Sequence, residues 1–112
     1  MNETLKAVVI ELTDDNVRNR EIYLRGALGL FPDDCFGSNG RACATPITLR
    51  IGQETVKTDI DEEKGIFRDC SAIKRFFEEE AVSEGDLIVI ERVQPREFRL
   101  WKTSKRGFRY YL

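Results

Sequence analysis

Residues 66–93 read IFRDCSAIKRFFEEEAVSEGDLIVIERV, and two different periods meet inside them. Ile73, Phe76 and Phe77 fall three and four positions apart, the spacing that gathers apolar side chains on one face of a helix. Asp69 and Ser71 both stand where that helix would begin, and either can cap it by accepting a main-chain N–H. The spacing therefore predicts a helix over Ser71–Glu80. Glu78, Glu79 and Glu80 crowd negative charge at the end where the helix dipole is already negative, so an early stop is expected. SEGD (83–86) supplies a turn, and Asp86–Val93 (DLIVIERV) is the strongest strand signal in the chain.

Outward from this unit the signals stay short and β-like. Gln94-Pro95 breaks the strand, Glu97–Lys102 (EFRLWK) pairs back, and Ser104–Gly107 turns the chain into a last strand, Phe108–Leu112. Upstream, Ile47–Ile51 and Glu54–Ile60 flank Gly52-Gln53, a two-residue hairpin turn. DEEKG (61–65) marks another turn and Gly65–Phe67 a short strand. Near the start, Lys6–Leu12 (KAVVIEL) reads as a strand, TDDNVRNRE (13–21) as an exposed loop, and Glu21–Arg25 (EIYLR) as a second strand. GALGLFPDDCFG (26–37) predicts a short helix or turn with Pro32, Asp33 and Asp34 at its start, and Ser38–Thr45 a polar loop. About eight short strands, turned every 8–12 residues, with one or two short helices, make the class mainly β, a barrel or sandwich. A chain of 112 residues suits one core, so 1–112 is read as a single domain.

Composition removes several function classes. No apolar run approaches the roughly 20 residues of a membrane helix, and MNETLKAVVI carries an early acid and too short an apolar stretch for a signal peptide. A cytoplasmic protein is expected, nucleoid-associated if prokaryotic, with no membrane partner. Cys35, Cys43 and Cys70 show no CxxC spacing, which argues for reduced thiols and against a disulfide framework or zinc finger. The absence of histidine removes Ser-His-Asp and Cys-His pairs and histidine metal sites together, so no catalytic residue, metal or cofactor is assigned. Net charge is −2, but residues 92–112 hold seven Lys/Arg and one acid, a basic element on an acidic body.

In order and spacing, four blocks resemble the B3-like DNA-binding pseudobarrel of plant transcription factors and of effector domains of some bacterial restriction endonucleases. They are VVIELTDDNVRNREIYLR (8–25), GLFPDDCFG (29–37), PITLRIGQETVKTDI (46–60) and the 66–93 stretch, and the prokaryotic branch is the closer match. The resemblance implies an open pseudobarrel of about seven to eight strands with two short helices. It also implies sequence-specific binding of double-stranded DNA by two loop arms in the major groove, as the target-recognition part of a restriction system or as a small regulator. A nuclease domain or subunit is then a natural partner.

The arms map to about Thr13–Arg20 and Lys64–Ser71. In the first, Thr13, Asp15 and Asn16 accompany Arg18, Asn19 and Arg20, whose forks and amide suit guanine and adenine edges. Lys64, Arg68, Asp69 and Ser71 offer further donors and an acceptor for the cytosine amine. Arg25, Lys57, Lys74 and Arg75 are expected on phosphates, where they set register without reading sequence.

Two other readings compete. Pro32-Asp33 followed by Glu62-Glu63-Lys64 mimics the PD-(D/E)xK pattern of metal-dependent nucleases, in which two carboxylates hold magnesium and a lysine steadies the attacking water. Those carboxylates belong on adjacent central strands, whereas here they fall on a helix start and an exposed turn. The acidic 78–80 cluster could instead mark a protein-interaction module, although such a run more often faces solvent. Trp101, Phe98, Phe108, Tyr110 and Tyr111 interleave with basic residues, which alternation along strands explains as core on one face and charge on the other.

Overall fold

The strongest strand of the sequence lies inside a five-stranded sheet. The computed structural model describes residues 6–37 and 44–104. Leu87–Gln94 (β7) pairs antiparallel with Ala7–Glu11 (β1) on one side and with Glu97–Thr103 (β8) on the other. Next to β8 and parallel to it runs Ile47–Ile51 (β3), which forms the expected hairpin with Glu54–Thr58 (β4). The order is β1-β7-β8-β3-β4. Leu87, Ile88, Val89 and Ile90 are all buried, which is why this strand reads as a continuous apolar run rather than an alternation.

A second, three-stranded sheet joins Phe36–Gly37 (β2), Ile60–Asp61 (β5) and Ile66–Phe67 (β6), parallel between β2 and β5 and antiparallel between β5 and β6. Two α-helices, Asp14–Asn19 (α1) and Ser71–Glu79 (α2), and two 3₁₀ turns, Arg25–Leu30 and Asp33–Cys35, complete the described residues. The protein is mainly β, with two mixed sheets and no closed barrel. Ile88, Ile90, Phe98 and Leu49 of the large sheet, Ile60 and Phe67 of the small one, and Ile73, Phe76 and Phe77 of α2 share one core. Phe31 knits them, its ring centroid 4.8 Å from that of Phe98 and 5.8 Å from that of Phe67. Burial pushes the Cys35 thiol up to about 11, so it packs as an uncharged core residue.

Four expectations are corrected. Residues 14–19 are a helix rather than a loop, because Thr13 and Asn16 cap it reciprocally: Asn16 N–H donates to Thr13 Oγ1, and Asn16 Oδ1 accepts from Thr13 N. Glu21–Arg25 is not a paired strand. Ile22 and Leu24 are buried and Tyr23 is exposed, but Leu24 N–H donates to the carbonyl of Gly65, in a turn, at 2.7 Å. The hairpin strand stops at Thr58, and Ile60 crosses into the small sheet. Finally, α2 does not stop early. Buried Phe76 and Phe77 anchor its last turn, and Lys102 Nζ donates to the Glu80 carbonyl at 3.0 Å, setting a positive charge at its negative end. The helix is capped at Cys70 without a side-chain bond, while Asp69 Oδ1 accepts from Ser71 N at 3.2 Å. Residues 38–43 of the expected polar loop, with Cys43, and the expected strand Phe108–Leu112 lie outside the described residues.

Candidate nucleic-acid interface

The two expected arms meet along one seam. The end of α1 and the extended chain after it (Arg20, Glu21, Ile22) lie against Ile66, Phe67, Cys70 and Ile73 around a small void. Arg25 Nη2 donates to the Glu63 carbonyl at 3.0 Å, and a Cβ on Gly65 would sit 3.0 Å from Arg25 Cγ. Gly65 has φ +68° and closes the 62–65 turn, whose main-chain N–H groups converge on Asp61. The turn of the second arm is thus fastened to the root of the first.

Within the first arm, several polar groups are already occupied. Asn16 is 3% exposed, and its Nδ2 donates to the Glu21 carbonyl at 3.0 Å, so it shapes the helix end instead of facing solvent. Thr13 is exposed but belongs to the same cap. Arg18 pairs with Asp14 at 2.9 Å and Asp15 at 2.6 Å, all three well exposed. Asn19 Nδ2 donates to Tyr23 Oη at 3.1 Å. Arg20 ends the helix in the left-handed region, φ 53° and ψ 49°, where a side chain costs about 1–2 kcal/mol of backbone strain. It reaches Glu78 only at 3.8 Å.

The second arm divides more sharply. Lys64 is exposed at the tip of the turn; its main-chain N–H donates to Asp61 Oδ1 at 3.0 Å, and its ammonium makes no hydrogen bond or ion pair within 4 Å to a described residue. Arg68 is a clamp: its Nε lies 3.0 Å from both Asp59 oxygens, its Nη2 donates to the Gly37 carbonyl at 3.0 Å, and its Nη1 is 3.8 Å from Asp61. It ties the three strands of the small sheet together. Asp69 N–H donates to Thr58 Oγ1, and Asp69 and Ser71 are both exposed at the start of α2.

On the rest of α2, Lys74 is exposed one turn before Glu78, while Arg75 grips Glu54 through two bonds of 2.7 and 2.6 Å. That fork holds the Glu54 carboxyl below its ordinary range and raises the guanidinium. Lys57 stands on the outer face of the edge strand β4, opposite Thr48, and shares that face with Arg50 instead of the seam. In the described part of the basic C-terminal stretch Arg96 pairs with Asp34 and Arg99 with Glu91, each at 2.7 Å, while Lys102 donates to the Glu80 carbonyl and lies 3.8 Å from Asp86. Of the carboxylates that face the two arms, Asp59 escaped the sequence reading and Glu78 entered it only within the acidic 78–80 run. The hairpin register Ile60↔Phe67 would have set Asp59 opposite Arg68, and helical spacing would have set Glu78 beside Lys74.

Asp33 opens a 3₁₀ turn and Glu62–Lys64 forms the β5–β6 turn, so the nuclease-like residues do not sit on neighbouring strands. Among the described residues no three His, Cys, Asp or Glu side chains are grouped to hold a metal ion, and no helix is long and apolar enough to cross a membrane.

No protein-family model matches the chain, and no curated protein sequence does. A solved structure does: the N-terminal domain of Helicobacter pylori LlaJI.R1 superposes with a TM-score of 0.60 at 13% sequence identity. The match covers 96% of this chain and 97% of that one. The two share a fold.

Proposed function

We propose that this domain is a B3-like pseudobarrel that binds double-stranded DNA in a sequence-dependent way, through the two arms at the seam, and does so without cutting it. The observation that carries the reading is the convergence of the arms on a cluster of cations not tied into close ion pairs. Arg20, Arg25, Lys64 and Lys74 are exposed around the seam; Arg25 donates to a main-chain carbonyl and Arg20 has a carboxylate no nearer than 3.8 Å. Phosphates recruit such groups, and arginine forks among them can read guanine. The whole-length likeness to the N-terminal domain of a restriction-system protein supports a DNA-recognition role as part of a restriction system.

Arg18, exposed on α1 of the first arm, is counted with these groups, since an exposed ion pair is worth about 0–1 kcal/mol and a base edge or phosphate can displace its aspartates. Selection of duplexes from a random pool should enrich one short motif. In competition titrations, Arg18→Ala and Arg20→Ala should each weaken the selected duplex by up to roughly a hundredfold and scrambled duplex far less. Lys74→Ala should weaken both alike. No enrichment, or arm arginines that prove neutral on the selected duplex, would defeat the reading. Plasmid incubated with the protein and magnesium or manganese should stay intact; cleavage lost in a Glu62→Ala, Lys64→Ala double variant would restore the nuclease alternative.

A further inference from the structure

The large sheet ends unevenly. Parallel pairing of β3 with β8 stops at Leu100, whereas β8 continues to Thr103 against β7 alone. Beside that step, between the Gly52 turn and the C-terminal end of α2, lies a cleft of about 520 Å³. Small-ligand sites span roughly 300–1,000 Å³, so this one has room for a single nucleotide. Buried Phe76 and Leu100, Trp101, Arg50, Arg99, Lys102 and Glu80 line it.

Two details point to the kind of ligand. Arg50 and Arg99 are register partners on adjacent strands, and like charges abreast destabilise a sheet. Each is steadied by a carboxylate on its own face, Arg50 by Glu97 at 2.8 Å and Arg99 by Glu91 at 2.7 Å, yet the two side chains remain 58% and 56% exposed. The Arg99 guanidinium lies over Trp101, 4.8 Å from the ring centroid. A flat cation on a flat ring presents a second flat face, on which another ring can stack or which it can displace. The site therefore combines a stacking surface with two half-exposed guanidiniums, which a phosphate can draw from surface ion pairs worth about 0–1 kcal/mol each.

We infer that this cleft binds a nucleotide, with the base against the Trp101–Arg99 pair and the phosphate on Arg50, which stands beside Arg99 on the same face of the sheet. A free nucleotide and the end of a single strand present the same chemistry. The site shares no residue with the seam, so it stands or falls apart from duplex recognition.

Trp101 is the sole tryptophan of the chain and reports on its own site. Adenosine 5′-monophosphate added to the full chain should quench its fluorescence saturably. Adenosine and ribose 5-phosphate, each lacking one half of the ligand, should bind at least about tenfold more weakly. Arg50→Ala and Arg99→Ala should each cost about tenfold in affinity with the circular-dichroism spectrum unchanged. Should an alanine variant lose its fold, Arg99→Lys keeps the charge, removes the plane, and should still weaken the base-bearing ligand selectively. A short oligothymidylate that binds more tightly than thymidine 5′-monophosphate assigns the cleft to a strand end, and equal affinity assigns it to a free nucleotide; both support the site. Absence of saturable quenching, affinity indifferent to both arginines, or a polyglutamate peptide that binds as well as the nucleotide would overturn it.

Discussion

Arg68 and Arg20 show how two arginines of the same expected surface take different roles. Arg68 spends its fork on Asp59 and Gly37, so its removal strips the partner from an aspartate that is only 20% exposed and loosens three strands at once. Arg68→Ala should lower the melting temperature by about 5 °C or more, and duplex affinity measured well below that temperature should change little. Scanning calorimetry beside a titration separates the two, and a normal melt with lost selectivity would return Arg68 to the reading surface. Gly37 tests the same clamp from below. A Cβ there would lie 2.7 Å from Asp59 Oδ2 and 3.0 Å from Arg68 Nη2, so Gly37→Ala should cost about 1–3 kcal/mol in urea unfolding. Arg20 has the opposite profile. Glycine would hold its left-handed backbone without strain, so Arg20→Gly should stabilise the fold by up to about 1 kcal/mol while duplex binding weakens. Stability and binding that fall together would make Arg20 a structural residue.

At the scale of the element, the β5–β6 turn is governed by one carboxylate. Asp61 Oδ1 accepts the main-chain N–H groups of Glu63 and Lys64 at 3.0 Å each, and these bonds, the Lys64 one foremost, hold the Asp61 carboxyl below the ordinary aspartate range. A carboxyl whose value is lower folded than unfolded stabilises the fold fully above the unfolded value, about 3.9. That stability is lost as pH falls through the folded value. Urea midpoints should therefore drop below about pH 4, and Asp61→Asn should lower the midpoint at pH 7 and flatten the acid limb; an unchanged limb would assign it to other carboxylates. This turn was legible in DEEKG, as were the β3–β4 hairpin and the apolar face of α2, because each rests on neighbours in sequence. The helix α1 was missed although Thr13, Asn16 and the acids Asp14 and Asp15 are its N-terminal signal, since five polar residues and the single Val17 carry no apolar period to draw attention to them. Residues 21–25 misled for another reason: alternation reports which side chains face inward, not whether a strand lies alongside. The clamp at Arg68 and the cleft beside Trp101 depend on strands brought together from distant parts of the chain, which local pattern does not encode.

For the molecule as a whole, charge is a matter of what remains after internal pairing. The chain carries 18 Lys and Arg, but among the described residues those at the seam without a carboxylate nearer than 3.8 Å are Arg20, Arg25, Lys64 and Lys74. With Arg20 on a base edge, three phosphates on Arg25, Lys64 and Lys74 at about −0.9 each give a log–log salt slope of roughly −2.7 for duplex binding. A slope near zero would contradict phosphate contacts at the seam; one twice as steep would mean that the C-terminal basic stretch also engages. The sheet order carries a consequence of a different kind, for the time course of folding. The β3–β4 hairpin joins the large sheet through β8, nearly fifty residues later in the chain, and β1 joins it through β7, some eighty residues later. Such distant pairings close long loops before any reward, which places the domain among slow folders, in milliseconds to seconds. During synthesis the hairpin and α2 can form early, but the sheet stays open until Leu100 has left the ribosome. Until then its apolar β7 strand lacks one neighbour, and that interval, rather than the finished fold, is where the protein is most exposed to aggregation.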